Sequence, residues 1–342
     1  MRRTFLFAAC MLLAIACGKK QQPAAGPAKH FTTDVLLKTT PIKSQGKSDL
    51  CWAYAMLATI ETEHLMQGDS VNLSPDYVAY MLLREKAGNC YMRENEPLGT
   101  YGVMTMLPTL IYRYGCEPYE TFHAEKDADY HSLSKVLTTV TDSHRQQRSG
   151  FGRMMKDVDS HIEEVLGIAP QYVFMYSCEY TPQEFAHSVC RQDEYTPLTS
   201  FTHHPFGQRF ELEVPHNRYH DTFLNMPIDS LLTVVDSTLL AGHPVCWEGD
   251  ITEPGFDFSS GVAQLDDENE DITQRARQAQ FERFQTTDDH CMEIIGIARD
   301  DQGKKYYICK NSWGKNNPYH GLMYMSEPYF RLKTIAVMVH SE

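Results

Sequence analysis

The chain has 342 residues, 42% apolar and 22% charged, an ordinary globular composition that excludes global disorder and suits one large domain or two lobes. Its 31 basic and 45 acidic side chains leave a net charge of -14. That charge repels phosphate backbones, no basic patch offsets it, and nucleic acid is not expected as a partner.

At the N-terminus, Arg2 and Arg3 give a positive n-region, and residues 4–15 form an apolar run too short to span a membrane. This is the pattern of an export signal. Ala14-Ile15-Ala16-Cys17 resembles the lipobox of bacterial lipoproteins, in which Cys17 would carry the lipid; the same residues also suit a plain signal-peptidase site. The expected location is therefore a membrane surface, periplasmic or at the cell exterior, and otherwise the secreted medium. Residues 18–30 are rich in Pro, Gly, Gln and Ala without apolar periodicity, as in a flexible tether. The folded body is expected over 31–342, with a helical part near 45–200 and a strand-rich part near 201–342.

Beyond the nucleophile candidate introduced below, the body holds Cys90, Cys116, Cys178, Cys190, Cys246, Cys291 and Cys309. In an exported chain this invites bridges, with Cys178–Cys190 and Cys90–Cys116 as open pairings. Several of these cysteines sit inside apolar runs, where a free thiol acts as a small hydrophobe.

A helical pattern begins at Cys51-Trp52 and runs to Gln67, closed by Gly68. Ser74-Pro75-Asp76 supplies a cap, a first-turn proline and an acid for a second helix to about Lys86. Val103, Leu107, Leu110, Ile111 and Tyr114 mark a third helix that ends at Gly115. Polar helix-like stretches near 133–148 and 157–166 extend this part, and Ile228, Leu231, Leu232, Val235 and Leu239 predict another helix before Gly242. Strand-like segments follow at 244–251, 293–298, 306–310, 322–325 and 335–340, with Asp300-Asp301-Gln302-Gly303 as a hairpin turn. Early helices and late antiparallel strands predict an α+β chain of two lobes with a ligand cleft between them.

Cys51 at a helix start is placed to be a thiolate, because free amides and the helix dipole favour the anion there. A thiolate nucleophile also needs a base, a group to orient that base and a donor to the oxyanion. His290, at the mouth of a strand, suits the base; Asn311, 21 residues on, can reach it across the hairpin and fix its tautomer. Gln45 can offer its amide to the oxyanion.

Gln45-Gly46, Cys51-Trp52, His290 and Asn311-Ser312-Trp313-Gly314 together resemble the papain-like cysteine peptidases. Two features depart from the common pattern: Ser48-Asp49-Leu50 precedes the nucleophile, and His290 lies far beyond the roughly 130–150 residue gap typical of papain. Leu73-Ser74-Pro75-Asp76-Tyr77, the segment 102–115, Asn225-Met226-Pro227-Ile228-Asp229, the segment 242–250 and Asp289-His290-Cys291-Met292 resemble the bleomycin hydrolase and aminopeptidase C branch more closely. The resemblance implies a papain-like two-lobed fold, no cofactor, peptide or protein substrates and the roles just given. It also implies that Gly102, Trp313 and Asp289 line the substrate groove, with Trp313 shielding the Asn311–His290 bond; Tyr101 departs from the Gly-Gly often found there in relatives and would line and narrow the groove. In that branch a C-terminal arm restricts the enzyme to chain ends. Here the sequence stops at His340-Ser341-Glu342, so the expectation leans to endopeptidase or relaxed exopeptidase action, and an oligomer stays open.

Plainer readings compete. A lone Cys-Trp pair is ordinary core, and a peptidase fold can persist as a non-catalytic binding module. His203-His204 reads as a solvated loop ahead of a metal site, and the acidic run 266–271 as solvated ahead of a calcium loop.

Overall fold

A computed structural model of the chain describes residues 28–93, 98–124, 128–175, 177–269 and 271–341. The export signal, Cys17 and most of the tether lie outside the described residues. The last of the tether is docked: Lys29 Nζ lies 3.1 Å from Asp300 and donates to Tyr306 Oη at 2.6 Å. No helix among the described residues is long and apolar enough to cross a membrane.

Strand β1 (Phe31–Leu36) leads into helix α1 (Cys51–Gln67), closed by Gly68 in the left-handed conformation at φ 90°. Helix α1 is buried around its whole circumference from Trp52 to Glu63, apart from Tyr54. An apolar helix of that kind belongs in the middle of a molecule. Helix α2 (Pro75–Met92) starts as expected, with Ser74 Oγ accepting from Tyr77 N–H at 3.0 Å. It continues to Met92, past the expected end near Lys86, because Ala87 and Cys90 keep its buried face going. Helices α3 (Met106–Tyr114), α4 (Tyr130–Gln146) and α5 (Phe151–Leu166) bury Leu107, Leu137 and Val158 in the same core as α1. A hairpin of β2 (Val173–Met175) and β3 (Cys178–Tyr180) precedes α6 (Pro182–Val189), which opens on a Thr181/Glu184 capping box.

The second lobe is a mixed sheet. It contains β4 (Tyr195–Thr199), β5 (Arg209–Glu211), β6 (Thr222–Asn225), β7 (Val245–Gly249), β8 (Phe256–Asp257) and β9 (Val262–Ala263), followed by β10 (His290–Asp300), β11 (Lys305–Lys310), β12 (Leu322–Ser326) and β13 (Thr334–His340). The strands run in the order β5-β6-β4-β13-β7-β10-β11-β12-β9-β8, and β1 joins β10 from the far N-terminus. Helices α7 (Ile228–Ala241), α8 (Gln274–Glu282) and α9 (Glu327–Lys333) complete it. The sheet separates two cores by strand alternation. On β7, Cys246 faces α1 and the helical core, whereas Val245 and Trp247 pack with α7 in the second core. The result is the expected α+β, two-lobed architecture.

All eight described cysteines are free thiols. The pairings Cys90–Cys116 and Cys178–Cys190 do not form: Cys90 Sγ sits 3.5 Å from Thr141 Oγ1, Cys190 donates to Arg191 O at 3.3 Å, and Cys178 is exposed.

Candidate active site

Cys51 is the first residue of α1, and Leu50 before it provides no side-chain cap. The first-turn amides therefore keep their donors for an anion at the helix start. His290 opens β10, and Asn311 follows the last residue of β11. Glu293 pairs with Lys310 across that hairpin, so Asn311 falls diagonal to His290 on one face. The side chains meet, with His290 Nε2 to Asn311 Oδ1 at 2.9 Å, and both are nearly inaccessible to solvent. Asn311 Oδ1 also accepts from Ser312 N–H at 2.7 Å, which fixes it as the amide oxygen. An acceptor there requires Nε2 to carry hydrogen, which leaves Nδ1 for Cys51. The Trp313 ring lies 4.8 Å from the His290 ring, with Phe258 and Phe256 behind it at 5.4 and 5.8 Å.

The Cys51 thiol is held well below the ordinary range. A hydrogen bond from Cys291 contributes most, burial opposes it, and hydrogen bonding and charge from His290 add to the lowering. The same contact and its own burial push the Cys291 thiol up. Residue spacing gives no sign of Cys291 in this role; only the packing of β10 against α1 shows it.

Gln45 stands at the cleft with its carbonyl group held by Ser312 Oγ at 2.6 Å, while its Nε2 donates to Ser48 O at 2.7 Å. An amide nitrogen carries two hydrogens, so this bond orients the group and leaves a second donor. Tyr101 is half exposed, stacks on His216 at 4.9 Å and hydrogen-bonds Asp49. His216 in turn contacts Asp288 at 3.0 Å. Gly102 has a local reason to be glycine: a Cβ there would come within 2.8 Å of the Trp52 ring and 2.9 Å of Met106 Sδ. Asp289 keeps one side exposed and hydrogen-bonds Thr287 and Asp250; partial withdrawal of its carboxyl from water is the main cause raising it. Glu248, on β7 beside Cys291, was not singled out from the sequence, because a lone glutamate in a strand pattern looks like a solvent-facing residue.

His203, His204 and Glu213 bring three ligand atoms within 4.8 Å of one another. Gln278 Oε1 accepts from Thr202 N–H at 2.6 Å, so its Nε2 is the donor to His203 Nδ1 at 3.0 Å. His203 Nε2 then carries hydrogen toward Glu213 and offers no lone pair to a metal. In the acidic run 266–271, Glu268 accepts from Leu265 N–H and Ser326 Oγ.

The family model described as "Peptidase C1-like family" matches residues 120–342, which include His290 and Asn311. The chain belongs to this family. Cysteine proteinase 1, mitochondrial, of Saccharomyces cerevisiae (strain JAY291) is 23% identical over 370 residues, covering 90% of this chain and 76% of the yeast protein. Aminopeptidase G of Lactobacillus delbrueckii subsp. lactis is 25% identical over 160 residues, 44% of this chain and 36% of that protein. The crystal structure of PepW from Lactobacillus rhamnosis HN001 has the same fold, with a TM-score of 0.74 at 20% identity over 93% of this chain and 83% of that one. This member of the C1-like family is a cysteine peptidase of the bleomycin hydrolase and aminopeptidase C branch.

Proposed function

We propose that the peptidase hydrolyses peptide bonds through an acyl-enzyme on Cys51. The observation that carries this reading is the arrangement around His290, whose one nitrogen is tied to Asn311 at 2.9 Å while the ring, by hydrogen bonding and charge, lowers the Cys51 thiol. A proton held by His290 leaves Cys51 as thiolate, and the thiolate attacks the substrate carbonyl carbon. The second amide hydrogen of Gln45 and the amide of Cys51 are the donors for the oxyanion. His290 Nδ1 then gives its proton to the leaving amine as the C–N bond breaks. Water, deprotonated by the same nitrogen, attacks the thioester and frees Cys51. Trp313 excludes competing water from the Asn311–His290 bond. None of this chemistry requires a cofactor.

Digesting a peptide library with the purified protein and with Cys51→Ala, and reading the cut sites by mass spectrometry, tests this reading. The expected result is cleavage by the wild type and none above background by Cys51→Ala. Undiminished cleavage by the variant would refute it. Including each peptide with a free and an acetylated α-amine decides between chain-end and internal cleavage.

A further inference from the structure

Glu248 is a buried acid opposite Cys291 for which the proposed reaction has no use. It is 2% exposed. Alternation along β7 puts it on the face of Cys246, toward α1. Directly across the ladder stands Cys291, the neighbour that lowers the Cys51 thiol most. Facing residues on a sheet hold their Cβ atoms about 4.5–5.5 Å apart. The Glu248 carboxyl therefore lies within roughly two extended residues of the candidate nucleophile.

Its surroundings do not satisfy it. One oxygen accepts a long bond, 3.4 Å, from Met104 N–H, in the loop where Gly102 packs on Trp52. Asp288 and Cys51, its charged neighbours, are themselves acids, and Asp288 is already engaged with His216. No ion pair with a Lys or Arg reaches Glu248 among the described residues. Burial, and then Asp288, hold its carboxyl well above the usual range. A lone carboxylate at such a place is costly, and a neutral amide would accept from Met104 equally well. A cation brought by the substrate would offset that cost and ionise it.

We propose that Glu248 binds a cation of the substrate, an ammonium or guanidinium carried by the residue that precedes the one whose carbonyl Cys51 attacks. A reach of roughly two extended residues from Cys51 matches that position. The inference rests on Cys51 being the nucleophile, and it gives the cleft a charge preference that the family assignment does not supply.

The test uses three peptidyl vinyl sulfones that differ at that preceding residue: acetyl-arginine, acetyl-citrulline and citrulline with a free α-amine. Citrulline keeps the shape of arginine without its charge. The rate of adduct formation on Cys51 is followed by mass spectrometry for the wild type and Glu248→Gln. The expected result is that one cationic probe labels the wild type roughly tenfold or more faster than acetyl-citrulline, with the ratio falling towards one in Glu248→Gln. Whichever cationic probe gains identifies the cation as side chain or α-ammonium. Equal rates for all three probes on the wild type overturn the inference, whether or not the variant folds. So does a preference that survives in Glu248→Gln. A purely structural Glu248 would slow all the probes alike and leave their ratio unmoved. Failure of Cys51 to react even with iodoacetamide would refute the peptidase reading itself, a different outcome from an unselective but reactive Cys51.

Discussion

Contacts from three directions favour a Cys51 thiolate: the uncapped start of α1, His290, and the Cys291 thiol on the neighbouring strand. Cys291 contributes the largest lowering, so its removal has a defined sign. In Cys291→Ala the thiolate loses that donor and forms only at higher pH. The midpoint of the pH dependence of Cys51 alkylation by iodoacetamide should move upward, and an unmoved midpoint would show that His290 and the helix suffice. In the proposed reaction Gln45 acts on a later species, the oxyanion. Its Nε2 is aimed by Ser48 O and its oxygen is held by Ser312, so the donor is set before substrate arrives. Gln45→Ala should lower kcat by about 10²–10³-fold with little change in KM, the pattern for loss of one oxyanion donor. Steady-state kinetics that show a rise in KM at constant kcat would make Gln45 a ground-state binding residue instead.

The elements that place these side chains differ in how openly the sequence announces them. Gly68 and the Ser74-Pro75 pair mark the end of α1 and the start of α2, since a left-handed glycine and a capping serine leave local signatures. Strand β1 leaves none: its Thr32, Thr33 and Asp34 are exposed, and it becomes a strand only by pairing with β10. The two-residue strand β9 likewise depends on a partner distant in sequence, β12, whereas β5 and β8 pair with the strands that follow them, β6 and β9. The turn after α3 carries a cost of its own. Glu117 is fully buried, neither carboxyl oxygen has a hydrogen-bond partner among the described residues, and burial raises its pKa to about 8. The unfolded chain releases this proton near the ordinary glutamate value of about 4.3, whereas the folded chain keeps it until about 8. The fold thus binds the extra proton, and stability drains away as pH rises between those values. Glu117→Gln removes that loss. Its melting temperature should exceed that of the wild type by a margin that grows from pH 5 to pH 8, measured calorimetrically, and parallel curves would refute the assignment.

Across the whole molecule, the cleft lies where the helical core meets the sheet, and buried charge fastens the two lobes there. Glu63 on α1 contacts His243 just before β7 at 2.9 Å, and Lys310 of β11 donates to Thr39 and Thr40, ahead of α1, at 2.8 and 2.9 Å. Cys51, His290 and Asn311 stand out as candidates in the sequence because each occupies a recognisable local place: a helix start, a strand mouth and the end of a hairpin. Cys291 and Glu248 do not, because their meaning comes from the register of β7 against β10, which no periodicity in either strand reveals. The central claim is a covalent bond between substrate and Cys51, and it can be seen directly. The protein is mixed with a slowly turned-over peptide ester, quenched in acid and examined by intact and fragment mass spectrometry. The account predicts a transient mass increase equal to the acyl group, located on Cys51 and absent from Cys51→Ala. Peptide hydrolysis with an adduct on another residue would contradict it.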